Sequence, residues 1–164
     1  MNENPADTVP GDGQAQSGWQ SVIEDMAATA DEFRSRGWTT LELHPGDSVL
    51  VDSDRRTGLD VVVPGPEYEE LESVTEDCAF ADVDVFRAEH GSMLFLLIVE
   101  KDPTNETAVF VPAYYDPGSS QTKLERVRES GDLRLFCRRL NGDYVEFVHG
   151  DVAPFLPEAL QGET

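Results

Sequence analysis

The sequence predicts an α+β domain, a single and mostly antiparallel sheet with three helices, around a central apolar strand at 92–100. Three observations lead there. Residues 93–99 (MLFLLIV) are unbroken apolar chain, far short of the roughly twenty residues a bilayer span takes. They also lack the alternation of a half-exposed strand, so this strand is covered on both faces. Shorter apolar or alternating runs bounded by turn residues recur on either side, and three further segments place apolar residues at helical spacing.

Taken in order, residues 1–16 are rich in Asn, Asp, Pro, Gly and Gln and are expected to form a disordered acidic tail. One domain is expected over 17–157, with a frayed C-terminus at 158–164. Ser17 opens a helix, with Gln20 at capping-box spacing. Trp19, Val22, Ile23, Met26, Ala30 and Phe33 form its apolar stripe, and Gly37 ends it behind Arg34 and Arg36. Residues 38–43 alternate as a strand, His44-Pro45-Gly46-Asp47 turns, and 48–51 and 59–63 return as strands about a charged loop.

Pro64-Gly65-Pro66 seats a short acidic helix over 67–76, with Tyr68, Leu71 and Val74 inward. In 80–89, Val83 and Val85 face inward and Asp82 and Asp84 outward, and His90-Gly91 turns into the central strand. After a turn at 102–105, residues 108–115 read as an almost wholly apolar strand in which Pro112 asks for an edge position or a bulge. Asp116-Pro117 has the chemistry of a helix start, and Gly131 closes that helix. Residues 132–140 and 144–149 pair across Asn141-Gly142, a type I′ hairpin signal. Residues 154–157 (PFLP) read as an irregular cap.

Charge sets the expected environment. The 164 residues suffice for one sizeable core and carry 33 Asp and Glu against 12 Lys and Arg, a net charge of -21. Lys101 and Lys123 are the only lysines. Such charge repels itself in dilute salt, whereas at molar salt the Debye length shrinks to about 3 Å. A folded, acidic, lysine-poor chain therefore points to a halophilic cytosol and to salt adaptation of the surface. No basic, apolar targeting segment opens the chain, so a cytoplasmic address and no membrane contact are expected.

Several chemistries find little support. His44, His90, His149, Cys78 and Cys137 are the only soft ligands, none at zinc spacing, so no metal, cofactor or catalytic residue is assigned. The histidines fall at predicted turns and read as solvated, the cysteines as buried free thiols. Asp60, Glu100 and Lys101 suit a nuclease-like site by residue type. Glu100 and Lys101 are adjacent, however, and point to opposite faces of a regular strand. No nucleophile elbow or phosphate loop is present.

Two features rise above this background. Residues 121–140 hold six cations against three carboxylates; Arg134 and Arg138 share a strand face, and Arg139 points the other way. These arginines suit a phosphate, a nucleic acid or an acidic partner, or ion pairs with neighbouring strands. Nucleic acid is disfavoured, because phosphate contacts weaken steeply with salt. The second feature is apolar excess: strands at 93–99 and 108–115 have only three helices to cover them, so one sheet face is either left for a partner or closed by the first helix or the C-terminal segment. Tyr114, Tyr115 and Asp116 are placed at its rim, so the candidate binding residues are Tyr114, Tyr115, Asp116, Arg134, Arg138 and Arg139.

The WTTLELHPGD, RTGLDVVVP and VPAYYD segments give the chain a resemblance to an uncharacterised haloarchaeal protein family of unknown function, over about Trp19 to Leu156. That resemblance implies taxon and compartment and carries no activity. The expected function is non-enzymatic protein–protein contact, above all a homodimer through the apolar sheet face. The alternative is a small-molecule or phosphate-ester binding protein, or a metal-dependent hydrolase, using the arginine-rich strand at 132–140 and nearby carboxylates.

Overall fold

The computed structural model describes residues 13–53 and 57–158 of the 164. Most of the expected N-terminal tail, and residues 159–164 of the expected frayed end, lie outside this range. The first helix, α1 (Gly13–Ser35), is already running upstream of Ser17. Its predicted stripe is the face it buries: Val22, Met26, Ala30 and Phe33 pack with Trp19 and Ile23 on one cluster. At its end Gly37 takes φ 90°, its N–H reaching Arg34 O and that of Trp38 reaching Phe33 O. This is the left-handed stop that glycine accommodates without a Cβ penalty.

The strands form two sheets of four, not one. In the first, β1 (Thr39–Glu42) lies parallel to β6 (Thr107–Tyr115), followed by antiparallel β5 (Met93–Asp102) and β4 (Asp82–His90). In the second, β2 (Asp47–Asp52) is antiparallel to β3 (Thr57–Val62), β3 is parallel to β7 (Leu133–Arg138), and β7 is antiparallel to β8 (Tyr144–His149). The turn at His44-Pro45-Gly46 carries the chain from the first sheet to the second. The expectation of a single, mostly antiparallel sheet is corrected accordingly, although the α+β class stands. Both sheets are mixed because the neighbours of β1 and β3 come from far along the chain, as in Thr39 opposite Thr107 and Val61 opposite Cys137.

The sheets stack face to face. Leu94, Leu96, Ile98, Val109 and Val111 of the first meet Leu59, Val61, Leu135 and Cys137 of the second. Helices α2 (Gly65–Glu76) and α3 (Gln121–Ser130) and a 3-10 turn (Ala153–Phe155) add Tyr68, Leu71, Leu124, Val127 and Phe155 to that core. The opposite face of the first sheet, with Phe95, Leu97, Val99, Phe110 and Tyr114, lies under α1. Each fully buried aliphatic or aromatic side chain stabilises the fold by about 1.5–3 kcal/mol, so the central run is accounted for on both sides. The apolar face expected to serve self-association is covered by α1 and by the second sheet. No described helix is long and apolar enough to cross a membrane.

Pro112 lies in β6, flanked by β1 and β5, and its missing N–H is harmless. Phe110 O accepts from Leu43 N on the β1 side, and alternation turns Pro112 and Tyr114 to that same side, past the end of β1. There the Ser48 hydroxyl of β2 stands in for a strand, donating to Tyr114 O at 2.8 Å and accepting from Tyr114 N at 2.9 Å. The expected local edge is what β6 has at this point.

Two turns differ from expectation. Asp116 does not cap α3: its Oδ1 accepts from Gly118 N at 2.9 Å, and the helix begins beyond Ser120. That turn satisfies Asp116 locally and delays the helix. Across Asn141-Gly142 a hairpin forms, but Gly142 N bonds Arg139 O and Arg139 N bonds Asp143 O. Gly142 has φ 101° and Asn141 has no positive φ, so this is a type I turn with a glycine bulge and not type I′.

Candidate functional site

Alternation along β7 sends Leu133, Leu135 and Cys137 between the sheets and Arg134, Phe136 and Arg138 to the outer face of the second sheet. Arg134 and Arg138 share a face, as their spacing requires. Each is matched by a carboxylate on a neighbouring strand. Arg138 Nε lies 3.0 Å from Oδ1 of Asp60, which is 3% exposed on β3, and Arg134 lies 2.6 Å from Glu146 on β8. Arg139, beyond the strand end, reaches Glu69 at 3.5 Å and covers the Tyr68 ring. On α3, Arg126 faces Asp52 and Lys123 donates to Leu50 O. The basic stretch is thus distributed over three surfaces, with Arg126, Arg134, Arg138 and Arg139 in ion pairs. Arg139 borders a cavity of about 590 Å³ with His44, Gly65 and Leu140, which neither Arg134 nor Arg138 lines.

Tyr114, Tyr115 and Asp116 diverge instead of forming a rim. Tyr114 is buried under α1 in edge-to-face contact with Trp19, and burial pushes its phenol up to about 12. Tyr115 points between the sheets, where its hydroxyl donates to Phe155 O at 2.7 Å. Successive residues of a strand face opposite ways, which is why the two tyrosines part. Asp116 is taken up by its own turn.

Asp60, Glu100 and Lys101 are not brought together. Asp60 is on the outer face of the second sheet, Glu100 is between the sheets, and Lys101 bonds Asp84 at 2.7 Å. Among the described residues, no group of three or more His, Cys, Asp and Glu side chains is arranged to hold a metal ion.

Two features escaped the sequence reading. His149, which the sequence places at a solvated turn, is 6% exposed and meets the still more deeply buried Glu100 at 2.6 Å. The signal was present: His149 continues the inward series Val145, Phe147, and Glu100 continues Leu94, Leu96, Ile98. The other is the free edge of β8. Arg139 N pairs with Asp143 O, and from there alternation turns the N–H and C=O of Glu146 and Val148 away from β7. No described residue bonds these groups, and the Val148 side chain is 57% exposed.

The other sheet edges are blunted. Strand β1 is only four residues long, and β4 carries Asp82, Asp84, Arg87 and Glu89. At β2, the Lys123 ammonium donates to the Leu50 carbonyl of the edge strand. Short length, charge and covering side chains are what keep edges from pairing. β8 has none of these, since its one carboxylate, Glu146, is neutralised by Arg134.

The model of a family of unknown function (DUF7529) matches residues 7–157. No curated protein and no solved structure matches the chain.

Proposed function

We propose that this chain, which belongs to that family of unknown function, is a non-enzymatic protein that self-associates through the open edge of β8. The observation that carries the reading is the exposed, charge-compensated backbone edge at Glu146 and Val148. A second copy is the occupant that the electrostatics favour. Two molecules of net charge -21 meet with least repulsion where carboxylates are already paired, and a basic partner would be drawn to the rest of the surface instead. An antiparallel pairing about a twofold axis at Phe147 sets Glu146 opposite Val148, so the two Glu146 side chains avoid each other. The contact thus moves from the buried apolar face of the first sheet to the edge of the second.

The same reading takes the acidic surface as one suited to concentrated salt in a halophilic cytoplasm. The alternative, a phosphate-ester or metal-dependent site on the arginine-rich strand, has less support, because Arg134 and Arg138 already face carboxylates.

Light scattering during size exclusion at about 3 M KCl, where repulsion is screened, tests the proposal. A dimer is expected, and Val148→Lys should convert it to a monomer while leaving the circular dichroism spectrum unchanged. A monomer up to high protein concentration, or a dimer indifferent to Val148→Lys, overturns it.

A further inference from the structure

His149 closes β8 on the inner face of the second sheet and Glu100 lies on the inner face of β5, so the pair joins the two sheets through the core. His149 Nδ1 is 3.0 Å from the Leu133 carbonyl oxygen and Nε2 is 2.6 Å from Glu100 Oε2. A carbonyl only accepts, so Nδ1 carries a proton. Nε2 then either donates to a carboxylate or accepts from a carboxylic acid. In both cases one proton occupies the gap. Without it, a carboxylate faces a lone pair in a site that side chains exclude from water, which is costly. With a second proton, a buried imidazolium is left against a neutral acid.

We infer that Glu100 and His149 form a one-proton latch between the sheets, whose loss of that proton on the alkaline side loosens the C-terminal segment packed on it. The His149 ring packs against that of Phe155 at a tilt, with centroids 4.8 Å apart. Phe155 O accepts from Tyr115, and Leu156 O accepts from Arg87. The segment after β8 thus rests on His149 through the Phe155 ring, beside the backbone anchors from Tyr115 and Arg87.

The titratable groups facing the pair are few. Cys137 projects from β7 into the same layer, its thiol held well above the ordinary range by burial and further by the Glu100 charge. Asp102, two residues along β5, is occupied by Ala79 N and Asn105. Tyr115 approaches through Phe155, its phenol raised by burial. Opposite Glu100 are Val83 on β4 and Val109 on β6, and the 3-10 turn contributes only apolar side chains. Burial raises the Glu100 carboxyl, partly opposed by the hydrogen bond from His149.

The sign of the pH dependence follows from proton counting. A carboxyl raised in the folded state contributes stability that is complete below its unfolded value and lost as pH rises through the folded one. Because the sites are coupled, the pair is counted as a unit. Above the unfolded histidine value of about 6.5, the unfolded pair holds no proton while the folded pair holds one. The folding equilibrium then falls by up to about tenfold per pH unit until the latch lets go.

Urea unfolding of the full chain in molar KCl, from about pH 6.5 to pH 9.5, compares the native protein with Glu100→Gln. Gln donates an N–H to Nε2 and needs no shared proton, so its curve should be flatter than the native one. The protection factors of the amides in residues 150–157, with exchange rates corrected for base catalysis, should fall over the same pH range in the native protein only. Parallel curves for the two proteins overturn the inference. If Glu100→Gln does not fold, nitrogen NMR of the native His149 ring decides. A proton fixed on Nδ1 and one coupled loss step support the latch, and a freely exchanging imidazole titrating near 6.5 refutes it.

Discussion

Gly18 lets α1 approach the ring of Phe95 on the sheet it covers, and Gly18→Ala measures how firmly the helix is seated. A Cβ built there would stand 2.4 Å from Phe95 Cε2 and 2.9 Å from Cγ of His90. Phe95 has no exposed surface, and its ring is flanked by those of His90 and Tyr114. Two effects compete. Alanine in a helix interior is worth about 0.8–1 kcal/mol over glycine, whereas forcing a methyl into a filled core costs about 1–3 kcal/mol. The overlap is with a ring that cannot swing into solvent, so overpacking wins. The expected net loss is up to about 2 kcal/mol, read from the urea midpoint with an unchanged m-value. Phe95→Leu removes the ring edge, so the double mutant should recover part of the loss as a favourable coupling energy. A stabilisation by the full helix-propensity gain, with no coupling to Phe95, would refute the close seating of α1 on β5.

Two more predictions follow from the layers. Ser48→Ala removes the only described partner of both Tyr114 backbone groups. Two buried orphans should cost about 2–4 kcal/mol in the same urea assay, and a loss below about 0.5 kcal/mol would mean that other groups satisfy them. Leu96→Glu and Phe110→Glu place a carboxylate in the core between the sheets and under α1 respectively, at fully buried positions. Both should abolish cooperative folding, seen as loss of the near-ultraviolet dichroism; a folded protein with only its molar mass changed would mean that these faces are exposed after all.

Local pattern was legible wherever one residue's neighbours along the chain decide its conformation. The stripe from Trp19 to Phe33 and the glycine stop at Gly37 follow from spacing and backbone sterics alone. So do the inward Val83 and Val85, and the shared face of Arg134 and Arg138. The double-sided burial of β5 was likewise written in its unbroken apolar run. Composition determined that the surface is overwhelmingly acidic.

What covers each face was decided only by tertiary structure. An apolar run states that a strand is covered and not by what, and strand pairing joins residues as distant as Leu41 and Val109. That is why one sheet was expected where two form, and why an interface was expected on a face that α1 and the second sheet occupy. The same limit hid the pairing of Glu100 with His149, 49 positions apart. A polar residue in an inward series is recognisable from alternation, but the partner that makes its burial tolerable comes from another sheet. The chain itself specified which surfaces must leave water, and the stacking of its layers selected the partner for each.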